Sequence, residues 1–414
     1  MGNRAVNERG APEYVPARES EIQKVLAALK DEWAVAYTAE LVRRPSINPP
    51  GDYAEVSAWL EKAFADMGLE ARVVEGQPGR RNVVARIAGA GGGPSLCLAS
   101  HMDVVNIGEK GNWRYDPFSA HIDGDGVMWG RGSADSKGML AGMMAATRAI
   151  LASGIRLKGD LYLIAYVDDE TAGHYGLRYV FNEGYAKAEN MILGEATAFE
   201  IQYVFKARIW FELETIGRSA HGAFPERGIN AIDKAYKVIK AIRGIPLTSH
   251  PKLGADTVNI GTIHGGEQVN VVAGRCRTSF DIRWGPGRTS RDIRAAVQAA
   301  LDRLKGEDPE LSIGDMVVTE ERDPLEFPPD NPLIRATQAA GKRIGREIGL
   351  GGWIASGELY FAQKAGHIMN GLMIGPGDPS QMHVCDEHIP VRELQEAARM
   401  YAVTALNVCG VAQS

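Results

Sequence analysis

Two imidazoles and three carboxylates stand out for the chemistry they could do together: His101, Asp135, Glu170, Glu195 and His383. They are the nitrogen and oxygen donors that a pair of Zn²⁺-like ions takes when one carboxylate is shared between them. Each lies where a ligand can be held: at a strand end, in a glycine-rich turn, or in an acidic cluster after an apolar run. Five such settings in this order point to hydrolytic chemistry assisted by metal ions.

Each block also has a plainer reading. His101-Met102-Asp103 closes an apolar run, so residues 101 and 103 project from one face and Asp103 is placed to hold the His101 ring. The plainer view is a solvated strand end. Glycines 130, 132 and 138 allow a tight backbone path around Asp135, where a carboxylate could bridge two cations. Asp135 or Ser136 could instead simply cap the helix that starts at Lys137. Asp168-Asp169-Glu170 sets like charges side by side after a buried strand, a grouping that asks for compensation by cations or a shared proton. One of these acids could bind metal while its neighbour takes a proton from water. Glu195 closes the run Met191–Gly194, and His383 follows the turn Gly375-Pro376-Gly377. Cys385 is two residues beyond His383; of the other histidines only His221, in Ser219–Ile232, invites a functional reading.

The elements that must position these groups follow from periodicity. Helical patterns run from Glu21 to about Arg43, over Asp52–Met67, and over the small-residue-rich Lys137–Ala152. Arg81–Gly89, Ser95–Val105 and Leu161–Val167 read as strands, with polar groups collecting at their carboxyl ends. Near Tyr203 the grammar changes to long alternating strands, Ala207–Gly217 and Val271–Trp284, with amphipathic helices over Asn230–Gly244 and Ser290–Leu304. After Pro324 it reverts, with a helix around Pro332–Ile348 and a strand at Met369–Gly377. The expected fold is α/β: a mostly parallel sheet with helices on both faces, plus an inserted α+β domain serving as lid or dimerisation module. The boundaries are a flexible polar arm over 1–18, a catalytic domain over 19–202 and 319–414, and the insert over 203–318.

A chain of 414 residues is too long for one ordinary core, which agrees with two domains. Its 45% apolar and 24% charged residues are those of a soluble globular protein, and a net charge of −6 speaks against nucleic acid. The start has no apolar core of signal-peptide length, and Val6 breaks the myristoylation pattern. No run approaches eighteen consecutive apolar residues, so no spanning helix is expected. Cys97, Cys276, Cys385 and Cys409 form no CxxC pair and read as reduced thiols in the cytoplasm.

Taken together, the blocks resemble the M20 metallopeptidase family over roughly residues 30 to 405. The resemblance implies two divalent metal ions, Zn foremost and Co or Mn as alternatives, with His101, Asp135 and Glu195 holding one. Asp135, Glu170 and His383 would hold the other. It makes Asp103 the residue that orients His101, and Asp169 the general base. It also makes Asn270 and Arg283 the grip on a substrate carboxylate, and His221 an oxyanion donor reaching across from a partner subunit. The family usually has Glu where this chain has Asp169, shortening the reach by about 1.5 Å. Misplacement by about 1 Å can slow a reaction on the order of 100-fold, so either the backbone compensates or the reaction differs. Ser356–Phe361 only loosely represents another family block, leaving Gly357 and Glu358 without a role. The implied function is hydrolysis of a C–N bond in a small carboxylate-bearing molecule, such as an N-acyl amino acid or peptide. The alternatives are a hydrolytic deaminase of a carboxylated aryl amine, of the 5-nitroanthranilate type, and an inactive metal-binding homologue with a binding or regulatory role. A homodimer or higher homo-oligomer is expected, with neither nucleic acid nor membrane as partner.

Overall fold

The computed structural model describes residues 14, 16–171, 173–365 and 368–413. Two compact units emerge: residues 1–203, 327–351 and 361–414 in the first, residues 204–326 and 352–360 in the second. The first unit resumes at Phe327 and not at 319, because Val317–Arg322 adds to the second unit's sheet by pairing with Ala207–Ile216.

The first unit is organised by four parallel strands, Leu161–Tyr166, Leu96–His101, Asn190–Leu193 and Asn370–Met373, hydrogen-bonded in that order. Leu96–His101 and Leu161–Tyr166 are buried along their whole length, as expected of parallel strands covered on both faces. Arg81–Ile87 and then Glu70–Glu75 extend one side antiparallel, and Ile201–Phe205 meets the other side through Gln202. Lys137–Ala152 lies in the connection from Leu96–His101 to Leu161–Tyr166 and is buried almost throughout. Its small residues let the helix Val391–Cys409 approach closely: a Cβ on Gly142 would already stand 3.4 Å from Tyr401.

The helix expected from Glu21 to Arg43 is two helices, Glu19–Ala28 and Asp31–Val42, with Leu29 and Lys30 extended between them. Most of the arm expected over 1–18, residues 1–13 and 15, lies outside the described residues. The rest is not a free arm. The Tyr14 hydroxyl bonds to Asn190, and the Ala17 amide donates to Asn407 Oδ1 at 3.1 Å.

The second unit is an antiparallel sheet ordered Thr257–Gly265, Arg275–Trp284, Ala207–Ile216, with Ser312–Ile313 and Val317–Arg322 on the far edge. Strict alternation along Ala207–Ile216 buries every second side chain, which is the period a half-covered sheet requires. Phe211 and Phe280 oppose each other in register and stack at 5.0 Å, an arrangement worth about 0.5–1.5 kcal/mol beyond burial. Helices Ala231–Arg243 and Ser290–Glu307 are capped by Asn230 and by the Thr289–Asp292 box, and their apolar stripes share the core of this sheet.

Candidate metal centre

Because the four central strands of the first unit are parallel, their carboxyl ends lie on one edge of the sheet, where such folds collect functional groups. His101 ends one strand; Asp168–Glu170 follow the next, Glu195 a third, and the His383 segment the fourth. Asp135 arrives from the loop before helix Lys137–Ala152. The five donors converge as two overlapping groups, His101–Asp135–Glu195 and Asp135–Glu170–His383, with ligand atoms within 4.8 Å of one another.

Asp135 is the hinge of this arrangement. Its Oδ1 stands 3.0 Å from His101 Nε2, while its Oδ2 stands 3.4 Å from His383 Nε2. Glu195 Oε1 completes the first group at 3.5 Å from His101 Nε2, and Glu170 Oε2 the second at 3.1 Å from His383 Nε2. The plainer role for this turn fails: Ser136 is the N-cap residue, its side chain makes no capping bond, and the Asp135 carboxylate faces the two imidazoles.

The cluster fits divalent cations by its own chemistry. His101 Nδ1 faces the Asp103 carbonyl at 2.9 Å, an oxygen that can only accept, so Nδ1 carries a proton and Nε2 is the free donor atom. The Asp103 carboxylate is farther, at 3.5 Å. Asp103 therefore addresses His101 mainly through its backbone, while its Oδ2 accepts from Asn48 Nδ2 and the Glu170 amide. Glu170 Oε1 is buried without a hydrogen-bond partner, an orphan that a cation would satisfy.

Burial and crowded like charge favour protons on this cluster when no cation is bound. Burial pushes Glu195 up to about 8 and Glu170 to about 7. The hydrogen bond to Glu170 raises His383 to about 9. Burial opposes a charged His101, but the Glu195 carboxylate and bonds to its acidic neighbours hold the ring well above the usual histidine range. Burial likewise lifts Asp135, yet the His101 bond and charge leave its carboxyl below the usual aspartate range.

Asp169 begins the short 3₁₀ turn Asp169–Thr171, and its Oδ1 accepts from Tyr166 Oη at 2.9 Å. Burial raises its carboxyl above the usual aspartate range. Asp168 points elsewhere, pairing with Arg80 at 2.9 Å. Cys385 Sγ lies 3.9 Å from the Ile107 carbonyl and belongs to neither donor group.

The remaining candidates belong to the second unit. His221 is exposed and bridges to Val271, and the Gly222 amide donates to the Asn270 carbonyl at 2.7 Å, so these two candidates are neighbours. His221 Nδ1 accepts from the Ala223 amide at 3.0 Å, which leaves Nε2 as the N–H end of the ring. Arg283 lies farther along its strand with its guanidinium already on Asp281 at 3.1 Å, a pairing any substrate carboxylate would share. Glu358 meets Arg322 at 2.8 Å, both buried, which gives it a structural partner in the second unit.

Sequence reading missed Asn48, Tyr166 and Glu387. Glu387 is buried beneath the Asp135 loop and lies four residues after His383, a spacing that was the only available signal.

Comparison with known proteins gives relatives in sequence and in fold. The acetylornithine deacetylase of Pectobacterium carotovorum subsp. carotovorum is 30% identical over 349 residues, spanning 80% of this chain and 86% of that relative. The one from Salmonella arizonae is 29% identical over 357 residues, 84% and 88% of the two chains. Among solved structures, the M20 family metallo-carboxypeptidase Sso-CP2 from Sulfolobus solfataricus superposes with a TM-score of 0.75 at 18% identity, covering 91% of this chain and 99% of its own. A dinuclear metal binding peptidase of the M20 family from Bacillus subtilis gives 0.70 at 15% identity, covering 95% and 100%. Residues 97–407 match the peptidase family M20/M25/M40. The chain therefore belongs to that family, and it is a hydrolase whose donor cluster suits divalent metal ions.

Proposed function

We propose that the chain hydrolyses the C–N bond of an amide in a small carboxylate-bearing molecule, an N-acyl amino acid or short peptide. What carries the reading is Asp135, whose two oxygens address two different imidazoles, each backed by its own glutamate. His101, Asp135 and Glu195 would hold one ion and Asp135, Glu170 and His383 the other, with zinc the expected metal. Bound there, such ions polarise a carbonyl and bring the pKa of water down toward about 7.

The chain's own residues do the rest. Asp169, oriented by the Tyr166 hydroxyl, takes a proton from the attacking water and returns it to the departing amine nitrogen as the C–N bond breaks. Asn48 and the Glu170 amide fix the Asp103 carboxylate, and the Asp103 carbonyl fixes the His101 tautomer. Asn270 and Arg283 bind the substrate carboxylate, Arg283 through its planar guanidinium. His221 donates from Nε2 to the carbonyl oxygen as negative charge develops there, a contribution of about 3–4 kcal/mol for one such donor.

Self-association completes this reading. The strand Thr257–Gly265 is an exposed sheet edge, and Tyr236 and Ile263 are 62% and 49% exposed. A second copy would place His221 in its partner's site; a monomer by light scattering would remove that role. The chain's thiols are all unpaired, which supports a reducing, cytoplasmic setting. No helix among the described residues is long and apolar enough to cross a membrane.

The test is a screen of the zinc-, cobalt- and manganese-loaded protein against N-acyl amino acids, dipeptides and carboxylated aryl amines. The expected result is a free amine with its matching carboxylate product. Ammonia from an aryl amine with no acyl product would replace this reading with the aminohydrolase one.

A further inference from the structure

We propose that Glu387 is the positioning residue of the shared carboxylate, fixing the Asp135 loop and tying it to the segment that carries His383. This rests on the two-ion reading of the site and adds a residue to it. The Glu387 side chain is wholly buried and both its oxygens are fully used. Oε2 accepts from Arg131 Nη1 at 2.7 Å and from the Gly132 amide at 3.0 Å. Oε1 accepts from the Ala134 amide at 2.8 Å and the Asp135 amide at 3.0 Å. The Glu387 carbonyl accepts from the Gly130 amide at 2.9 Å as well. The turn that delivers Asp135 is thus wrapped around one carboxylate, and its last bond is on Asp135 itself.

The wrapping needs the local sequence. Gly132 has φ +89°, and a Cβ there would stand 2.8 Å from Val104 Cγ1 and 2.9 Å from Lys137 Cδ. Arg131, which supplies the charge opposite Glu387, lies with its guanidinium 5.0 Å from the Trp113 ring centre. A buried carboxylate is tolerated only when paired and hydrogen-bonded, and here one guanidinium and three amides do both. With four donors already on its oxygens, Glu387 has none left for a metal ion. Its effect on the site runs through Asp135 and, by chain connection, through His383. Two of the three donors of the His383 group hang from this clamp, against one of three in the His101 group. The ion of the His383 group should suffer first.

The experiment strips the full-length protein of metal and titrates it with Co²⁺, following heat and visible absorption, for wild type, Glu387→Gln, Arg131→Gln and Asp308→Asn. Glutamine keeps the shape but turns an NH₂ toward N–H donors. Loss of such an outer partner weakens metal binding about 10- to 100-fold, so Glu387→Gln is expected to bind the weaker ion that much less tightly. Arg131→Gln leaves the amide bonds in place and should show a smaller loss, which keeps the test alive if Glu387→Gln does not fold. Asp308→Asn breaks a charge cluster in the second unit and should melt earlier yet bind both ions as wild type does. Equal binding of both ions by wild type and both clamp variants would overturn the inference, as would an equal loss in Asp308→Asn. Wild-type protein that took up fewer than two ions would instead bring down the two-ion reading and this inference with it.

Discussion

The two donor groups share Asp135 and differ in how they are held. The His101 ring is 1% exposed and stands at the end of a parallel strand, whereas the His383 ring is 58% exposed and follows an irregular stretch. His383 has φ 63°, outside the regular regions. The first group inherits much of its geometry from sheet register: the strand that sets His101 opposite Tyr166 on one side sets Ala99 opposite Leu193, two residues before Glu195, on the other. The second group owes its geometry to side-chain ties: Glu387 to the Asp135 loop, and Asp386 Oδ1 accepting from the Arg114 amide at 2.6 Å. A strand end positions a ligand through many backbone bonds, a loop through a few named ones.

The sharpest way to break this comparison is to remove what the groups share. Asp135→Asn should reduce turnover to background and strip both ions, measured by metal content after dialysis alongside an activity assay. Retention of either ion at wild-type affinity would mean that the carboxylate is not shared. Next in size is Asp169→Asn, which should lower kcat on the order of 10²- to 10⁴-fold with metal content unchanged. A parallel loss of metal would turn Asp169 into a ligand.

A gentler probe is proton release. Glu195, Glu170 and His383 titrate near 8, 7 and 9 in the metal-free cluster, so at pH 7 ion binding must displace protons from it. Metal affinity should therefore climb as pH rises from about 6 to 9 and level off above. Calorimetry in buffers of different ionisation enthalpy reads the number released; a value of zero would contradict the cluster's charge balance.

The smallest effect lies in the second unit. Lys234 and Lys237 bond to Asp308 at 2.7 and 2.6 Å and hold its carboxyl down to about 2. A depressed carboxyl stabilises the folded form above its unfolded pKa of about 3.9, and that gain disappears as pH falls toward about 2. Asp308→Asn should flatten the acid limb of a melting-temperature profile between those values while leaving its neutral limb lower by a few degrees at most.

The sequence made the His101 group more legible than its surroundings. Strand ends such as Leu96–His101 and Leu161–Tyr166 announce themselves as unbroken apolar runs, and the next polar residue is then a candidate. The helix Lys137–Ala152 was readable to the residue from its small, apolar composition. Several strands escaped notice, two of them for a shared reason. Glu70–Glu75 and Thr257–Gly265 are edge strands with largely solvated side chains, so burial imposes little pattern on them. Leu29 and Lys30 interrupt a continuous helical pattern without glycine or proline, which periodicity cannot detect. Glu387 was missed for a different reason: three of its four partners are main-chain amides, and amides carry no sequence signature.

The most direct measurement is anomalous diffraction from crystals of the zinc-loaded chain. Two peaks are expected on either side of Asp135, one bounded by His101 and Glu195 and the other by Glu170 and His383. Occupancy should fall first at the His383 peak as zinc is lowered. No peak beside Asp135, or one peak touching only a single imidazole at saturating zinc, would contradict the account.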